Sequence, residues 1–164
     1  MITFEYTPSA FDDSWTDKWS PRSNGRNVPP QEVDQYAFLF DYFHVAVDLA
    51  IAQLSIQRRY LTIPVVDLIL TFELIRRSLI REGFVEAAAS RNQITLACRL
   101  AGEHVLVRAK GQPEEARVLF TEFLEFHRLA SIRAMSMLYT AHQELRQNPY
   151  LAHVEEILDV VGVA

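Results

Sequence analysis

The stretch TIPVVDLILTFELIRRSLIREG, residues 62–83, constrains the fold most, because it predicts a helix that is apolar on nearly every face. Thr62 is a candidate N-cap, and Pro64 suits the first helical turn. Gly83 is placed to end the helix in a left-handed conformation. Since residues 65–75 are apolar at almost every position, the rest of the chain has to cover this helix on several sides. We therefore predict that it is the central helix of the fold.

Asp67 lies in the first turn of this predicted helix. A carboxylate there favours the helix dipole and can accept hydrogen bonds from free amides. Asp67 is therefore predicted to cap or orient the helix start and not to act as a catalytic acid.

Alternation with period two predicts strands on both sides of the helix. ITFEYT, residues 2–7, predicts a first strand. YFHVAVDLAIAQLSI, residues 42–56, predicts strand structure with a bulge or turn near Ala52–Gln53, where the apolar phase shifts. FVEAAASRNQITLACRLAGEHVLVRAK, residues 84–110, predicts further strands, with a short hairpin connection at Ala101–His104.

From Pro113 the apolar period changes to that of a helix, and the pattern continues to about residue 147. Pro113 followed by two glutamates is a good helix opening. An unbroken helix over 113–147 would be about 50 Å long, whereas a compact domain of this size is about 40 Å across. The segment is therefore predicted either to break near His127–Ser131 or to project into a partner, before Asn148–Pro149 ends it and a short closing helix follows.

Strands and helices thus come in blocks, which predicts an α+β fold. We expect an antiparallel sheet, with the central helix and the long C-terminal helix packed on one face. The 164 residues are a one-domain length. Within this single domain, residues 8–35 form a long loop, and loops of that length are usually functional or partly disordered.

Charge is distributed unevenly along the chain. Residues 1–57 carry a net charge of −5, residues 58–110 of +4 and residues 111–164 of −4. The acidic ends argue against nucleic acid as a direct ligand, because phosphates would be repelled. A basic protein partner is compatible with them.

The chain is expected to be cytoplasmic. Its start lacks the basic and apolar regions of a signal peptide, and its apolar runs are too short and too often interrupted to span a membrane. Its single cysteine, Cys98, fits a reducing compartment.

No metal, cofactor or catalytic residue is predicted. The five histidines lack the spacing of a helical metal site. Glu122, Glu125 and His127 are interpreted as a solvated helix face. Cys98 is in phase with apolar strand neighbours and is interpreted as a buried thiol, although a pairing with His104 across the hairpin is an open alternative.

The loop contains both tryptophans, Trp15 and Trp19, among three aspartates, Asp12, Asp13 and Asp17. Tryptophans in a loop either anchor it to the core or face a partner, where Trp is enriched at binding hot spots. The carboxylates would suit a basic partner. These five residues are the predicted partner-binding site, with Trp19 and Asp17 facing the partner and Trp15 turned toward the sheet.

A family pattern spans roughly residues 38–145. The segments FDYFHVAVDL, IPVVDLILTFELIRRSL and FVEAAASRNQITLACRLAGEHVLVRA, followed by a long helix, resemble a group of small bacterial immunity proteins encoded beside polymorphic or contact-dependent toxins. The resemblance implies a non-enzymatic protein that binds and neutralises a cognate toxin domain, such as a basic nuclease. It brings no catalytic residues, and the tryptophan loop lies outside it.

Two alternatives belong to other functional classes. One is a small enzyme whose site would gather polar groups such as Cys98, Arg99 and His104 in a pocket. The other is a homo-oligomeric adaptor, with a homodimer formed through the long helix, because RLASIRAMSMLYTAH, residues 128–142, is rich in Ala, Ser and Met.

Overall fold

The computed structural model describes residues 1–162, apart from the side chains of residues 59 and 60. Its strands are β1 (Ile2–Pro8), β2 (Arg22–Ser23), β3 (Arg26–Asn27), β4 (His44–Ile51), β5 (Leu54–Pro64), β6 (Phe84–Ala89), β7 (Ile94–Ala101), β8 (His104–Ala109) and β9 (Glu115–Leu119). Its helices are α1 (Gln35–Phe40), α2 (Val65–Glu82), α3 (Phe120–Ala141) and α4 (Pro149–Leu158). Short 3₁₀ turns occur at Asp13–Trp15, Pro30–Glu32 and Gln143–Gln147.

The predicted α+β class is confirmed, with the strands divided between two main antiparallel sheets. One sheet has the order β1-β4-β5 and the other β6-β7-β8-β9, while β2 and β3 form a small ribbon within the long loop. The two main sheets adjoin, since Gln112 Nε2 donates to Ser55 O (2.8 Å) and Arg58 Nε donates to Gln93 O (2.8 Å). Helix α2 packs against β5, β6 and β7, and α3 packs against β1, β8 and β9.

Helix α2 is central, as predicted, and contacts α1, α3 and α4 as well as strands from both sheets. Gly83 ends it with φ = 78°, and the Gly83 N–H bonds to the carbonyls of Ser78 and Leu79. The predicted N-cap at Thr62 is wrong, because Thr62 lies within β5 and Pro64 holds the N-cap position without a side-chain cap. The strand continues to Pro64, directly before the first helical residue Val65, so no loop residue is left to cap the helix.

The role predicted for Asp67 also needs correction. Its Oδ2 accepts a hydrogen bond from the backbone N–H of Ser90 at 2.6 Å, so it ties the β6–β7 turn to the helix. Burial raises the pKa of Asp67, and the Ser90 hydrogen bond only partly offsets that effect. The carboxylate therefore serves a contact between distant parts of the chain instead of capping its own helix.

Replacing Asp67 with asparagine should leave the unfolding free energy at pH 7 within about 0.5 kcal/mol of the wild type, because an amide oxygen can still accept from Ser90. Asp67→Ala should cost about 1–3 kcal/mol, since it leaves that amide without a partner. A raised pKa in the folded state makes the wild type lose stability as the pH rises above 3.8, the ordinary value for this carboxyl. Urea denaturation at several pH values would check this, and equal losses for both variants would contradict it.

The predicted helix over 113–147 is wrong at both ends. Residues 115–119 form β9, in which buried Ala116 and Val118 alternate with more exposed neighbours. Helix α3 begins at Phe120, continues without a break through His127–Ser131 and ends at Ala141. Its 22 residues span about 33 Å, so the helix fits within the domain without a kink.

Other local predictions are confirmed. The chain turns at Ala52–Gln53, where Ile51 pairs with Leu54. Ala101 pairs with His104 at the β7–β8 connection.

Candidate functional site

Trp15 and Trp19 anchor the long loop to the core. The indole Nε1 of Trp15 donates to His44 O at 2.7 Å, and its ring meets Phe43 edge-on at 5.1 Å. Trp19 contacts Phe43 at 4.9 Å, Tyr42 at 5.2 Å and His142 at 4.7 Å between ring centroids. Both tryptophans are half-buried, so alanine at Trp19 would remove core packing as well as any contact with a partner.

Asp12 is turned inward. Its Oδ1 accepts from the N–H (2.9 Å) and hydroxyl (2.5 Å) of Ser14, and its Oδ2 accepts from His44 N (2.6 Å). The buried Ser14 hydroxyl accepts in turn from Phe43 N at 2.7 Å. Burial would raise the pKa of Asp12, but the hydrogen bonds from His44 and Ser14 outweigh it and lower the pKa. Asp12 therefore serves mainly to fix the loop.

Phe11, Asp13 and Asp17 point to solvent, and the Phe11 side chain is 100% exposed. Phe11 is not among the residues that the sequence predicts for the binding site, although an aromatic residue next to two carboxylates in a loop is a usable signal. A shallow concavity of about 320 Å³ lies beside Phe11. It includes Asp12, Asp13 and Asp41 but no basic side chain other than His44. We call Phe11, Asp13, Asp17 and Asp41 the acidic loop surface.

A second, larger concavity lies between β1 and α3 and is mostly apolar. This β1–α3 groove encloses about 880 Å³. Phe4 and Pro8 line its strand side, Leu129 and Ile132 are among the α3 residues opposite, and Trp15 also borders it. Trp15 thus links the loop to the groove, whereas Trp19 does not line the groove.

Many of the small and sulfur-containing side chains of α3 face the core. Ala130, Ser131, Ala134 and Met135 are buried in the core, whereas Leu129 remains 43% exposed. The small and sulfur-containing side chains of residues 128–142 suggested a homodimer, but they pack largely against the core of their own chain. That homodimer stays a prediction.

The outer face of the four-stranded sheet carries three arginines, Arg99, Arg108 and Arg117, and two glutamates, Glu86 and Glu115. Phe84, Arg99, Leu106 and Arg117 form one row across the strands, because each is paired with the next in register. Arg108 lies in the neighbouring row and pairs with Glu115 at 2.7 Å. Arg99 and Arg117 thus lie on strands that do not carry the acidic loop surface.

Two of the three polar groups suggested for an enzyme, Cys98 and Arg99, line a concavity of about 410 Å³, but His104 does not line it. Cys98 faces the core and is buried, and burial raises the pKa of its thiol to about 12. Arg99 follows it on β7 with its side chain exposed, and the His104 ring contacts Arg117 on the outer face of the sheet (Nδ1 to Nη2, 3.2 Å). A thiolate–imidazole pair is therefore not formed by these residues.

His127 corrects the interpretation of Glu122, Glu125 and His127 as a solvated face. The His127 ring is buried, with its Nε2 2.8 Å from Glu73 Oε2. Glu125 is exposed and pairs with Arg128 at 2.7 Å. Within the described part of the chain, no group of three or more His, Cys, Asp or Glu residues is arranged to hold a metal ion.

Comparison with family models, with curated proteins and with solved structures finds no match to this chain. In residues 1–162, no helix combines the length and hydrophobicity needed to cross a bilayer.

Proposed function

We propose that this protein is an immunity protein that binds and blocks a basic toxin domain in the cytoplasm of the producing bacterium. Its docking surface would be the acidic loop surface, supported by the anchoring residues Asp12, Trp15 and Trp19. The observation that carries the proposal is a fully exposed Phe11 beside exposed carboxylates. The loop that presents them is fixed to the core by hydrogen bonds of Trp15 and Asp12 with His44. Inhibition by binding requires no turnover and no cofactor.

The anchoring matters because an ordered loop loses little conformational entropy when it binds. Trp15 and Asp12 are held by His44, and the Ser14 carbonyl lies 2.7 Å from His142 Nε2. These contacts tie the 3₁₀ turn at Asp13–Trp15 to β4 and to the end of α3. Phe11 and the exposed carboxylates therefore project from a preformed surface.

The charge pattern favours a basic partner in one orientation. Asp13 and Asp41 offer negative charge beside the exposed Phe11 ring, and Asp17 adds an exposed carboxylate further along the loop. Aromatic and acidic groups of this kind are combined at steered, specific interfaces. Arg99 and Arg117 on the sheet face would repel the same partner. A basic toxin domain should therefore approach the loop and avoid the sheet.

The test is binding to the toxin domain encoded by the neighbouring gene, measured by biolayer interferometry at low and high salt. Phe11→Ala should weaken affinity by about thirtyfold, the loss of a hot-spot residue, and should leave the melting temperature unchanged because the ring is exposed. The double change Asp13→Asn and Asp17→Asn should slow association by about three- to tenfold at low salt, and the effect should shrink at high salt.

Glu156→Gln removes an exposed carboxylate on α4 and provides the matched control, with association at the wild-type rate. If the toxin domain binds but Phe11→Ala and the double variant bind as the wild type does, the docking surface is elsewhere. If the folded protein neither binds the toxin domain nor protects cells that produce it, the proposed function is wrong.

A further inference from the structure

The β1–α3 groove has the size and the apolar lining of a small-molecule binding site. Its volume of about 880 Å³ lies in the range of small-molecule pockets, which is about 300–1,000 Å³. Along α3 it extends from Leu129 to Ala141, a distance of about 18 Å. Met137 and Ile132 give it an apolar floor. A long, narrow apolar body would bury more of its surface here than a compact one.

One charged side chain, Arg133, lines this groove. Its guanidinium carbon lies 5.8 Å from the centroid of the Phe4 ring, so the charge sits over an apolar wall. Among the described residues Arg133 has no hydrogen bond and no ion pair, and its side chain is exposed. By contrast, Arg128 on the same helix makes two hydrogen bonds with Glu125. Arg133 therefore has all its donors available.

We propose that the groove binds a small amphipathic monocarboxylate, with an aliphatic body along α3 and the carboxylate on Arg133. The guanidinium presents a planar fork of donors that matches a carboxylate. No Asp or Glu lines the groove to compete for it. The nearest carboxylate of β1, Glu5, alternates with Phe4 and belongs to the other face of the sheet. This inference does not depend on the toxin-binding role proposed above.

The experiment compares three probes that share one tail: dodecanoate, dodecanol and dodecyltrimethylammonium. Each is titrated below its micelle-forming concentration and followed by calorimetry. Dodecanoate should bind at least about tenfold more tightly than the alcohol, and the cationic probe more weakly still. Arg133→Gln should lower dodecanoate affinity to that of the alcohol. Arg128→Gln, a change of the same kind one to two turns away, should leave the affinity unchanged.

Tryptophan fluorescence locates the bound probe. In Trp19→Phe the remaining Trp15 borders the groove, and its emission should change on titration with dodecanoate. In Trp15→Phe the remaining Trp19 lies outside the groove, and its emission should stay constant. Ile132→Glu should block binding by placing a charge on the groove floor, and melting curves show whether each variant is folded.

Equal affinity for all three probes would mean unspecific apolar adsorption and would overturn the proposal. So would dodecanoate binding that survives Arg133→Gln. If dodecanoate fails to bind, and light scattering shows that Ile132→Glu converts a dimer to a monomer, the groove is an interface between two copies of the chain and the proposal is wrong.

Discussion

Glu73→Gln should lower the unfolding free energy by about 3–5 kcal/mol, because it removes the charge of a buried carboxylate that hydrogen bonds from two partly exposed arginines hold in place. Glu73 is 2% exposed although it lies on a helix. Its carboxylate accepts two hydrogen bonds from Arg76, both at 2.8 Å, and one from Arg77 at 2.5 Å. His127 of α3 closes the cluster from the other side, with its Nε2 2.8 Å from the carboxylate. The variant would leave the guanidinium groups of Arg76 and Arg77 without their counter-ion.

The same cluster makes stability depend on pH. Burial would raise the pKa of this carboxyl, but hydrogen bonds from Arg76, His127 and Arg77 outweigh it and lower the pKa from 4.5 to about 2. A carboxyl whose pKa is lowered by folding stabilises the folded state above its unfolded pKa. That contribution is lost as the pH falls from about 4.5 to about 2. The difference between wild type and Glu73→Gln should therefore shrink across this acidic window.

Glu125→Gln is the matched control, because Glu125 also accepts two hydrogen bonds from an arginine one helical turn away. Both partners of that pair are exposed, so solvent can replace what the variant removes. We expect no measurable change in the denaturation midpoint at any pH tested. If Glu73→Gln also behaved in this way, the buried cluster would not stabilise the interface between α2 and α3.

The fold could be predicted where local pattern decides structure. Helix α2 was recognisable because apolar residues run between Pro64 and a glycine, and Gly83 does adopt the left-handed conformation. The β7–β8 hairpin followed from alternation around Cys98. Strand β9 was missed because Pro113 and two glutamates before an apolar stripe are also a good helix opening. Only pairing with β8 shows that residues 115–119 are extended.

The candidate site was harder to predict because its geometry depends on contacts between distant residues. Asp12 looked like a surface carboxylate, but its partner His44 lies 32 residues further along the chain. His127 looked solvated because Glu73, its partner, is on another helix. Phe11 lies in the same loop as the tryptophans, but the sequence pattern indicates only the tryptophans and aspartates as site residues. Its importance depends on exposure, which sequence alone does not give.

Asn148→Asp should lower the unfolding free energy at pH 7 by about 3 kcal/mol or more, because it buries an unpaired charge beside two carbonyl oxygens. Asn148 is fully buried, and its Nδ2 donates to Pro30 O at 3.1 Å and Val33 O at 2.9 Å. Its Oδ1 accepts from Tyr150 N at 3.0 Å and Leu151 N at 3.1 Å, which caps α4. One amide thus joins the end of the long loop to the start of the last helix.

Aspartate keeps the oxygen that accepts from Tyr150 N and Leu151 N, and it loses only the Nδ2 donor to Pro30 O and Val33 O. The variant therefore tests the link to the loop separately from the helix cap. The introduced carboxyl could donate to one carbonyl when protonated, so folding should raise its pKa, and the loss of stability should decrease as the pH falls toward 4. Gln147→Glu makes the same amide-to-carboxylate change at an exposed neighbour and should have little effect. Denaturation at pH 7 and at acidic pH provides the measurement, and amide exchange at Val33 and Leu151 shows which side opens. Wild-type stability of Asn148→Asp at pH 7 would mean that the amide does not hold the loop, and the fixed surface around Phe11 would then depend on the tryptophan and Asp12 contacts alone.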